Sequence, residues 1–261
     1  MIYPRIIPVL LINKNKLIQT KQFKYLKYVG DPLNAVRIFN EKKVDELVFF
    51  DISATILNLE PNYELIKNIS KQSRMPLCYG GGVKNLLQFE KIINLGVEKV
   101  SISSCAILNP SILKEIDKSF GRQSIIVTID IKLQDGSYQV FINNGKKKID
   151  IILNDLIKKL QDNGAGEILF NFIDRDGMRD GYDLNFLDTA KDFLHIPCSI
   201  IGGANSKEDF KKILEIYGLV GLCAGTMFSL KGKFNSVLLQ YIDEIDKKSL
   251  SEVLKNKINK N

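Results

Sequence analysis

The sequence predicts an α/β fold in which eight buried parallel strands alternate with helices. Short runs rich in Ile, Val, Leu and Phe recur along the chain, amphipathic segments separate them, and part of this pattern occurs twice. Strands that are buried on both faces lack the strict alternation of half-exposed strands. Eight β–α units in about 250 residues are typical of a TIM barrel. We therefore expect residues 1–261 to form a single (β/α)8 barrel domain.

The predicted strands are short, as expected for a barrel. A doubly wound open sheet is the alternative, but no Gly-x-Gly-x-x-Gly motif follows the first strand. The eight predicted strands are Arg5–Ile12, Glu46–Asp51, Pro76–Tyr79, Lys99–Ser103, Ser124–Ile131, Glu167–Asn171, Pro197–Ile201 and Gly221–Ala224.

Helical patterns lie between these strands. The segment Asp31–Glu41 begins with a capping Asp31 and with Pro32 at the first helical position. Asn85–Leu95 and Asp209–Tyr217 place apolar residues three and four positions apart, which predicts amphipathic helices. The chain ends in a basic tail, about residues 247–261.

Composition excludes several classes of protein. Hydrophobic residues make up 45% and charged residues 26%, which excludes a disordered or collagen-like chain. No apolar run approaches the roughly 20 residues of a membrane helix, and no signal peptide is evident. The four scattered cysteines indicate free thiols, so we expect a cytoplasmic protein. The single histidine excludes a multi-histidine metal site and a Ser-His triad within the chain, and we expect neither metal nor cofactor.

The net charge of +7 arises from 37 Lys and Arg against 30 Asp and Glu. It is compatible with anionic partners, but the excess is spread out and is also explained by a solvated basic face. No aromatic–basic motif or helix-turn-helix occurs, so nucleic-acid binding is not expected.

An internal repeat predicts that the barrel consists of two similar halves. Residues 45–50 resemble residues 166–171, and residues 76–82 resemble residues 197–203, both at an offset of 121 positions. Residues 5–11 align with residues 124–130 at an offset of 119.

Glycine and hydroxyl residues follow strands in both halves, which predicts two phosphate-binding cradles at the C-terminal mouth of the barrel. Glycine allows backbone N–H groups to approach an anion closely, and helix N-termini favour phosphate. A substrate with a phosphate at each end would span the two cradles; tight turns are the simpler explanation of any one glycine pair. The predicted residues are Gly82, Ser103 and Ser104 in one cradle, and Gly177, Gly202, Gly203, Gly225 and Thr226 in the other.

Several segments together resemble one known family. They include Gly30-Asp31-Pro32, Gly80-Gly81-Gly82, residues 163–169 (Asn-Gly-Ala-Gly-Glu-Ile-Leu), residues 173–177 (Ile-Asp-Arg-Asp-Gly) and residues 181–183 (Gly-Tyr-Asp). The chain is similar to the HisF family, the cyclase subunit of imidazole glycerol phosphate synthase, from about residue 5 to 230. The resemblance implies that ammonia from a HisH-like glutaminase partner travels along the barrel axis to a phosphorylated small-molecule substrate at the C-terminal face.

The resemblance also implies an ammonia gate at the bottom of the barrel, formed by Arg5, Glu46, Lys99 and Glu167. Each residue lies at the N-terminal start of a predicted strand, so the four side chains can converge on the axis. A salt-bridge layer that only stabilises the barrel is the alternative, although such a layer is costly to bury unless it is paired.

The catalytic pair implied by the family is incomplete. Family members use two aspartates as general acid and base, and this chain has Asp130 but Leu11 in the first position. Where the family has a lysine in the first loop, this chain has Gln19. Cys78 and Asn171 replace threonines, Ser103 replaces an asparagine, and Ile201 replaces a serine. Among the substrate-binding residues, Asp51, Asp176 and Gly177 remain.

Three interpretations of function stay open. The first is a diverged HisF-like subunit that feeds ammonia into the amidination of a surface sugar precursor, with a downstream sugar amidotransferase as a further partner. The second is an authentic cyclase of histidine biosynthesis that tolerates Leu11, and the third is a non-catalytic ammonia conduit that activates the glutaminase. The sister isomerase of the same pathway fits less well, because it shares the barrel but not residues 173–177 together with the gate.

Overall fold

The computed structural model describes residues 3–24 and 27–259. Its strands follow the apolar runs of the sequence, interrupted by several short hairpins. They are β1 (Ile6–Asn13), β2 (Lys16–Gln19), β3 (Lys27–Gly30), β4 (Leu47–Asp51), β5 (Leu77–Gly80), β6 (Lys99–Ile102), β7 (Ile125–Gln134), β8 (Ser137–Ile142), β9 (Lys147–Ile149), β10 (Glu167–Phe172), β11 (Cys198–Ile201), β12 (Gly221–Ala224), β13 (Leu230–Lys231) and β14 (Ser236–Val237).

Helices connect the strands and pack around them. They are α1 (Pro32–Glu41), α2 (Ile52–Ile56), α3 (Tyr63–Gln72), α4 (Leu86–Asn94), α5 (Ser104–Leu108), α6 (Ser111–Phe120), α7 (Leu153–Asp162), α8 (Phe186–Ala190), α9 (Lys207–Tyr217), α10 (Thr226–Ser229) and α11 (Glu244–Ile258). Short 3₁₀ turns occur at Arg122–Ser124 and Lys191–Phe193. No helix in the described ranges combines the length and the apolar character needed to span a bilayer.

Eight parallel strands close into a barrel in the order β1, β4, β5, β6, β7, β10, β11 and β12, and β12 pairs back onto β1. The predicted TIM barrel is therefore confirmed. The eight predicted strands are the barrel strands, and most of their ends agree with the structure to within one residue. The barrel brings the carboxyl ends of all eight strands to one mouth.

Local sequence explains where the elements begin. The Asp31 carboxylate accepts a hydrogen bond from the Asn34 amide at 2.9 Å and caps α1, as predicted. Asn85 caps α4 in the same way, through the Gln88 amide at 2.9 Å. A capping box formed by Ser206 and Asp209 begins α9.

The sequence analysis missed two hairpins at the mouth. After β1 the chain turns back as β2, and after β7 it turns back as β8, each antiparallel to the barrel strand before it. Tyr138 of β8 packs edge-on against Phe186 of α8 with ring centroids 4.8 Å apart. Its hydroxyl donates to Asp183 at 3.0 Å, so this hairpin is fixed to the body of the barrel.

The C-terminal segment does not form a separate tail. Most of residues 247–261 lie in α11, which packs against α9 and buries Leu250 and Leu254. Lys247 is also buried, and its Nζ lies 2.8 Å from the Asp45 carboxylate. This segment is basic in composition, but its amphipathic spacing makes it part of the outer helical layer.

The apolar core has two compartments. The larger one lies between the strands and the surrounding helices. A smaller cluster fills the inside of the barrel and consists of Ile7, Val9, Val48, Cys78, Ile126, Leu169 and Cys223. The inner cluster separates the bottom of the barrel from the mouth.

Candidate functional site

A cleft of about 1440 Å³, counted with its open side, occupies the C-terminal mouth. The predicted mouth residues come from both halves of the chain, and every one of them lines this cleft. They are Asp51, Gly82, Ser103, Ser104, Asp130, Asp176, Gly177, Gly202, Gly203, Gly225 and Thr226.

Asp130 is the buried carboxylate at the centre of this cleft. It lies on β7, is 7% exposed, and accepts a hydrogen bond from the Asn171 side-chain amide at 2.8 Å. Burial raises the pKa of Asp130 to about 7; the bond from Asn171 opposes this shift, and the charge of Asp176 adds to it. Near neutral pH Asp130 can therefore either donate or accept a proton.

Part of the wall of the cleft is apolar. Leu11 on β1 and Phe50 on β4 lie side by side across the barrel from Asp130, and Ile201 lies on β11. These three positions offer neither a proton donor nor a hydrogen-bond partner.

The Asp51 carboxylate binds the first residues of the helix that follows it. Its Oδ1 accepts hydrogen bonds from the Ser53 amide at 3.0 Å, the Ser53 hydroxyl at 2.6 Å and the Ala54 amide at 3.1 Å. These bonds cap α2 and fix the rim of the cleft. Local structure therefore accounts for an aspartate at this position.

The first predicted cradle contains a hydroxyl without a partner. The Ser103 Oγ is buried and makes no hydrogen bond in the structure, whereas the Ser104 Oγ accepts one from the Asn143 amide at 3.0 Å. The Gly82 amide makes only a long contact, 3.4 Å, with the Thr55 hydroxyl. Buried polar groups are normally paired, so Ser103 marks a place for a polar ligand atom.

Asp176 holds the first hairpin in place. Its Oδ2 accepts hydrogen bonds from the Thr20 hydroxyl at 2.5 Å and the Phe23 amide at 3.1 Å. Burial raises the pKa of Asp176, and these two bonds lower it in part. The neighbouring Gly177 has φ +70°, and a Cβ there would lie 2.4 Å from the Thr20 carbonyl oxygen. Asp176 and Gly177 thus both contact the first hairpin.

The second predicted cradle also meets this hairpin. Gln19, 6% exposed, places its side-chain amide against Thr226 at the start of α10. The amide satisfies the most partners when its oxygen accepts from the Thr226 N–H at 2.7 Å and the Thr226 hydroxyl at 2.8 Å. The sequence carries no signal for this contact, because the two residues are 207 positions apart.

The four predicted gate residues meet at the bottom of the barrel. Arg5 lies 2.9 Å from the Glu46 carboxylate and 3.0 Å from that of Glu167. Lys99 Nζ lies 3.4 Å from Glu46 and 3.2 Å from Glu167. Each cation contacts both anions, so the four side chains form a closed ring of alternating charge.

The ring sets the charge state of Glu167. Burial alone would raise its pKa, but Arg5, Lys99 and the Ser199 hydroxyl hold the pKa of Glu167 below its usual value. Ser199 donates directly to the Glu167 carboxylate, a contact that the sequence analysis missed.

The space between ring and mouth is lined by neutral side chains. Burial raises the pKa of the Cys78 and Cys223 thiols well above the usual range, so both are protonated at neutral pH. Nearer the mouth, the Ser101 and Thr128 hydroxyls lie 2.7 Å apart. In the described ranges, no group of three or more His, Cys, Asp or Glu side chains is arranged to hold a metal ion.

Comparison with known proteins agrees with this architecture. Residues 5–235 match the family model described as "Histidine biosynthesis protein". A Leptospira interrogans protein, provisionally named imidazole glycerol phosphate synthase subunit HisF, is 46% identical over 252 residues, which cover 96% of this chain and 99% of that protein. A Pseudomonas aeruginosa protein, provisionally named subunit hisF2, is 43% identical over 244 residues, 93% of this chain and 97% of that protein.

A more distant relative carries the HisF name without that qualifier. Subunit HisF of Natranaerobius thermophilus is 34% identical over 244 residues, which cover 94% of this chain and 97% of that protein. The family model and these relatives extend over nearly the whole barrel. The chain is therefore a diverged member of the HisF family.

Proposed function

We propose that this chain is the HisF-like synthase subunit of a glutamine amidotransferase complex. Ammonia from a HisH-like glutaminase enters at the bottom ring, passes through the barrel and is used at the phosphate-binding mouth. The observation that carries this proposal is the closed ring of Arg5, Glu46, Lys99 and Glu167 beneath a neutral lumen. A ring of this kind costs desolvation energy, and a barrel that needs only stability can fill these positions with apolar side chains.

Ammonia can pass only when one member of the ring moves. The contacts of Lys99, at 3.2 and 3.4 Å, are longer than those of Arg5, at 2.9 and 3.0 Å. Arg5 also binds each carboxylate through two hydrogen bonds. Lys99 is therefore the member that swings aside, while Arg5 keeps the two carboxylates in place.

The lumen favours the passage of neutral ammonia over that of the ammonium ion. The inner cluster presents aliphatic side chains and protonated thiols, and the entry of an ammonium ion would require an uncompensated buried charge. Neutral ammonia loses far less solvation energy on the same path.

The N-terminal face offers a surface for the glutaminase. Tyr3 is 50% exposed and Leu219 is 61% exposed, and both precede strands that border the ring. Glu98 is exposed next to Lys99 and is oriented by the Leu77 amide at 2.7 Å. An apolar patch with a fixed carboxylate suits a partner that carries an apolar surface and a cation.

The chemistry at the mouth is altered. Asp130 is the one carboxylate of the expected acid–base pair, because Leu11 stands in the other position. We infer that the nitrogen is used for the amidination of a phosphorylated surface sugar precursor, with a sugar amidotransferase acting downstream. The one-sided acid–base site supports this function over ring closure, which requires groups on two sides of the substrate.

Two alternatives are supported by particular observations. The HisF names of the relatives and the retained Asp130 favour an authentic cyclase of histidine biosynthesis. The apolar wall at the mouth favours a non-catalytic ammonia conduit that activates the glutaminase.

Coexpression with the glutaminase from the same genome tests the proposal. We expect a 1:1 complex by size-exclusion chromatography with light scattering, and glutaminase activity that rises on assembly. Glu98→Lys should weaken the complex, whereas Glu90→Lys on the exposed side of α4 should not. Failure of the wild-type chain to bind and activate the glutaminase would contradict the proposed function.

A further inference from the structure

The side chain of Gln19 lies where the second predicted cradle would hold a phosphate. It is 6% exposed and, with its oxygen toward α10, accepts hydrogen bonds from the backbone N–H and the hydroxyl of Thr226. Its nitrogen then donates to the Ile18 carbonyl oxygen at 3.2 Å. The N–H group and the hydroxyl of Thr226, which would receive an anion in this cradle, are thus already bound to Gln19.

The glycines of this cradle face the same hairpin. A Cβ on Gly225 would lie 2.8 Å from the end of the Gln19 amide, and a Cβ on Gly177 would lie 2.4 Å from the Thr20 carbonyl oxygen. Real Cβ atoms do not approach other atoms so closely, so the packing of residues 19–20 explains why glycine stands at both positions. Neither glycine requires a bound anion to account for it.

The hairpin is held firmly enough to keep Gln19 in this position. Strand β2 pairs with β1 on one side and with β3 on the other, and Gln19 itself pairs with Lys27. Beyond Gln19, the Thr20 hydroxyl and the Phe23 amide both bind the Asp176 carboxylate. Displacing the amide would therefore break contacts on both sides of it.

The first cradle differs, because the Ser103 hydroxyl there is buried without a partner. We propose that Gln19 fills the cradle of Gly203, Gly225 and Thr226, so that the mouth binds one phosphate group, beside Gly82 and Ser103, and gains no affinity from a second phosphate on the substrate. This inference rests on the proposed phosphate-binding function of the mouth. It names Gln19 as a specificity-determining residue and narrows the class of substrate.

The test compares two probes that differ by one phosphate, ribulose 5-phosphate and ribulose 1,5-bisphosphate, by isothermal titration calorimetry on the full-length chain. For the wild type we expect dissociation constants within about threefold of each other, since the Gln19 amide occupies the N–H group and the hydroxyl of Thr226. In Gln19→Ala the bisphosphate should bind at least about tenfold more tightly than the monophosphate, as expected for regained hydrogen bonds to a charged group.

Two further variants separate loss of the amide from damage to the hairpin. Gln19→Glu can still accept from Thr226 but adds negative charge, so it should bind the bisphosphate no more tightly than the wild type does. Gln139→Ala removes an amide from the other hairpin at the mouth, where it donates only to Ser137 at 2.6 Å, and should match the wild type.

Wild-type protein that already prefers the bisphosphate tenfold would overturn the inference and leave the phosphate-binding mouth intact. The absence of a gain in Gln19→Ala, with the monophosphate still bound, would also overturn it. If neither the wild type nor Gln19→Ala bound either probe, the inference would fail together with the phosphate-binding mouth of the proposed function.

Discussion

Leu11 and Asp130 occupy equivalent positions in the two halves of the barrel. Leu11 pairs with Ile18 of the returning hairpin on one side and with Phe50 of the next barrel strand on the other. Asp130 pairs with Phe141 of its own returning hairpin and with Asn171 of the next barrel strand. One fold thus places an apolar pair on one side of the mouth and a hydrogen-bonded polar pair on the other.

This asymmetry has a chemical consequence. Loss of a general acid or base costs roughly 10²–10⁴ in rate. A Leu side chain at the equivalent position cannot replace a carboxylate by any change of rotamer. We therefore expect Asp130 to be the single carboxylate of the family's acid–base pair in this chain.

Asp130→Asn should stabilise the protein in a manner that depends on pH. The raised pKa, about 7, means that the unfolded chain loses this proton at lower pH than the folded chain does. From about pH 4 to pH 7, rising pH therefore removes stability from the wild type but not from the variant. We expect a gain in unfolding free energy of about 2 to 4 kcal/mol at pH 8 and almost none at pH 4, measured by urea unfolding.

Asp192→Asn, at an exposed position, serves as the control and should follow the wild-type profile. An equal gain for Asp130→Asn at both pH values would show that the burial of charge is not the cause.

Removal of Arg5 should cost more stability than removal of Lys99. Arg5 makes four hydrogen bonds to Glu46 and Glu167 at 2.9 to 3.3 Å, whereas Lys99 makes only two, at 3.2 and 3.4 Å. Because the ring is partly open to solvent, we expect losses of about 2 kcal/mol for Arg5→Ala and about 1 kcal/mol for Lys99→Ala by urea unfolding at pH 7.

Lys99→Ala should affect ammonia coupling more than folding. In the complex, we expect less of the glutamine-derived ammonia to reach the mouth, while the subunits still assemble. Equal stability losses for the two variants would argue against the division of roles between Arg5 and Lys99.

Thr20→Val should loosen the first hairpin. The substitution keeps the shape of the side chain but removes a 2.5 Å hydrogen bond to the buried Asp176 carboxylate. We expect a loss of about 1 to 2 kcal/mol and faster tryptic cleavage at Lys21 and Lys24, which are exposed. Thr189→Val, which removes a hydrogen bond within α8, should leave cleavage at these lysines unchanged.

The sequence was sufficient to predict the barrel and the ring. Buried parallel strands carry their signal in continuous apolar runs, and Glu46, Lys99 and Glu167 each stand at the start of such a run. The register of neighbouring strands then brings the four charges together. Both features follow from positions along individual strands.

The sequence did not predict the contacts that the hairpins make. Strands β2 (Lys-Leu-Ile-Gln) and β3 (Lys-Tyr-Val-Gly) are only four residues long and lack the alternation that identifies a hairpin. Gln19 contacts Thr226, which is 207 positions away in the chain, and Gly177 packs against the backbone of Thr20. Such contacts depend on tertiary packing. From the sequence alone, the glycines predicted an anion-binding site and not a contact with this hairpin.

Steady-state turnover of the HisF family's substrate, with ammonium as the nitrogen source, distinguishes an altered mouth from an ordinary cyclase. We expect the purified wild-type chain to turn over this substrate weakly or not at all, because Leu11 stands where the second carboxylate is needed, and we expect Leu11→Asp to gain activity. Robust turnover by the wild type, abolished by Asp130→Asn, would contradict this expectation and identify the protein as an ordinary cyclase.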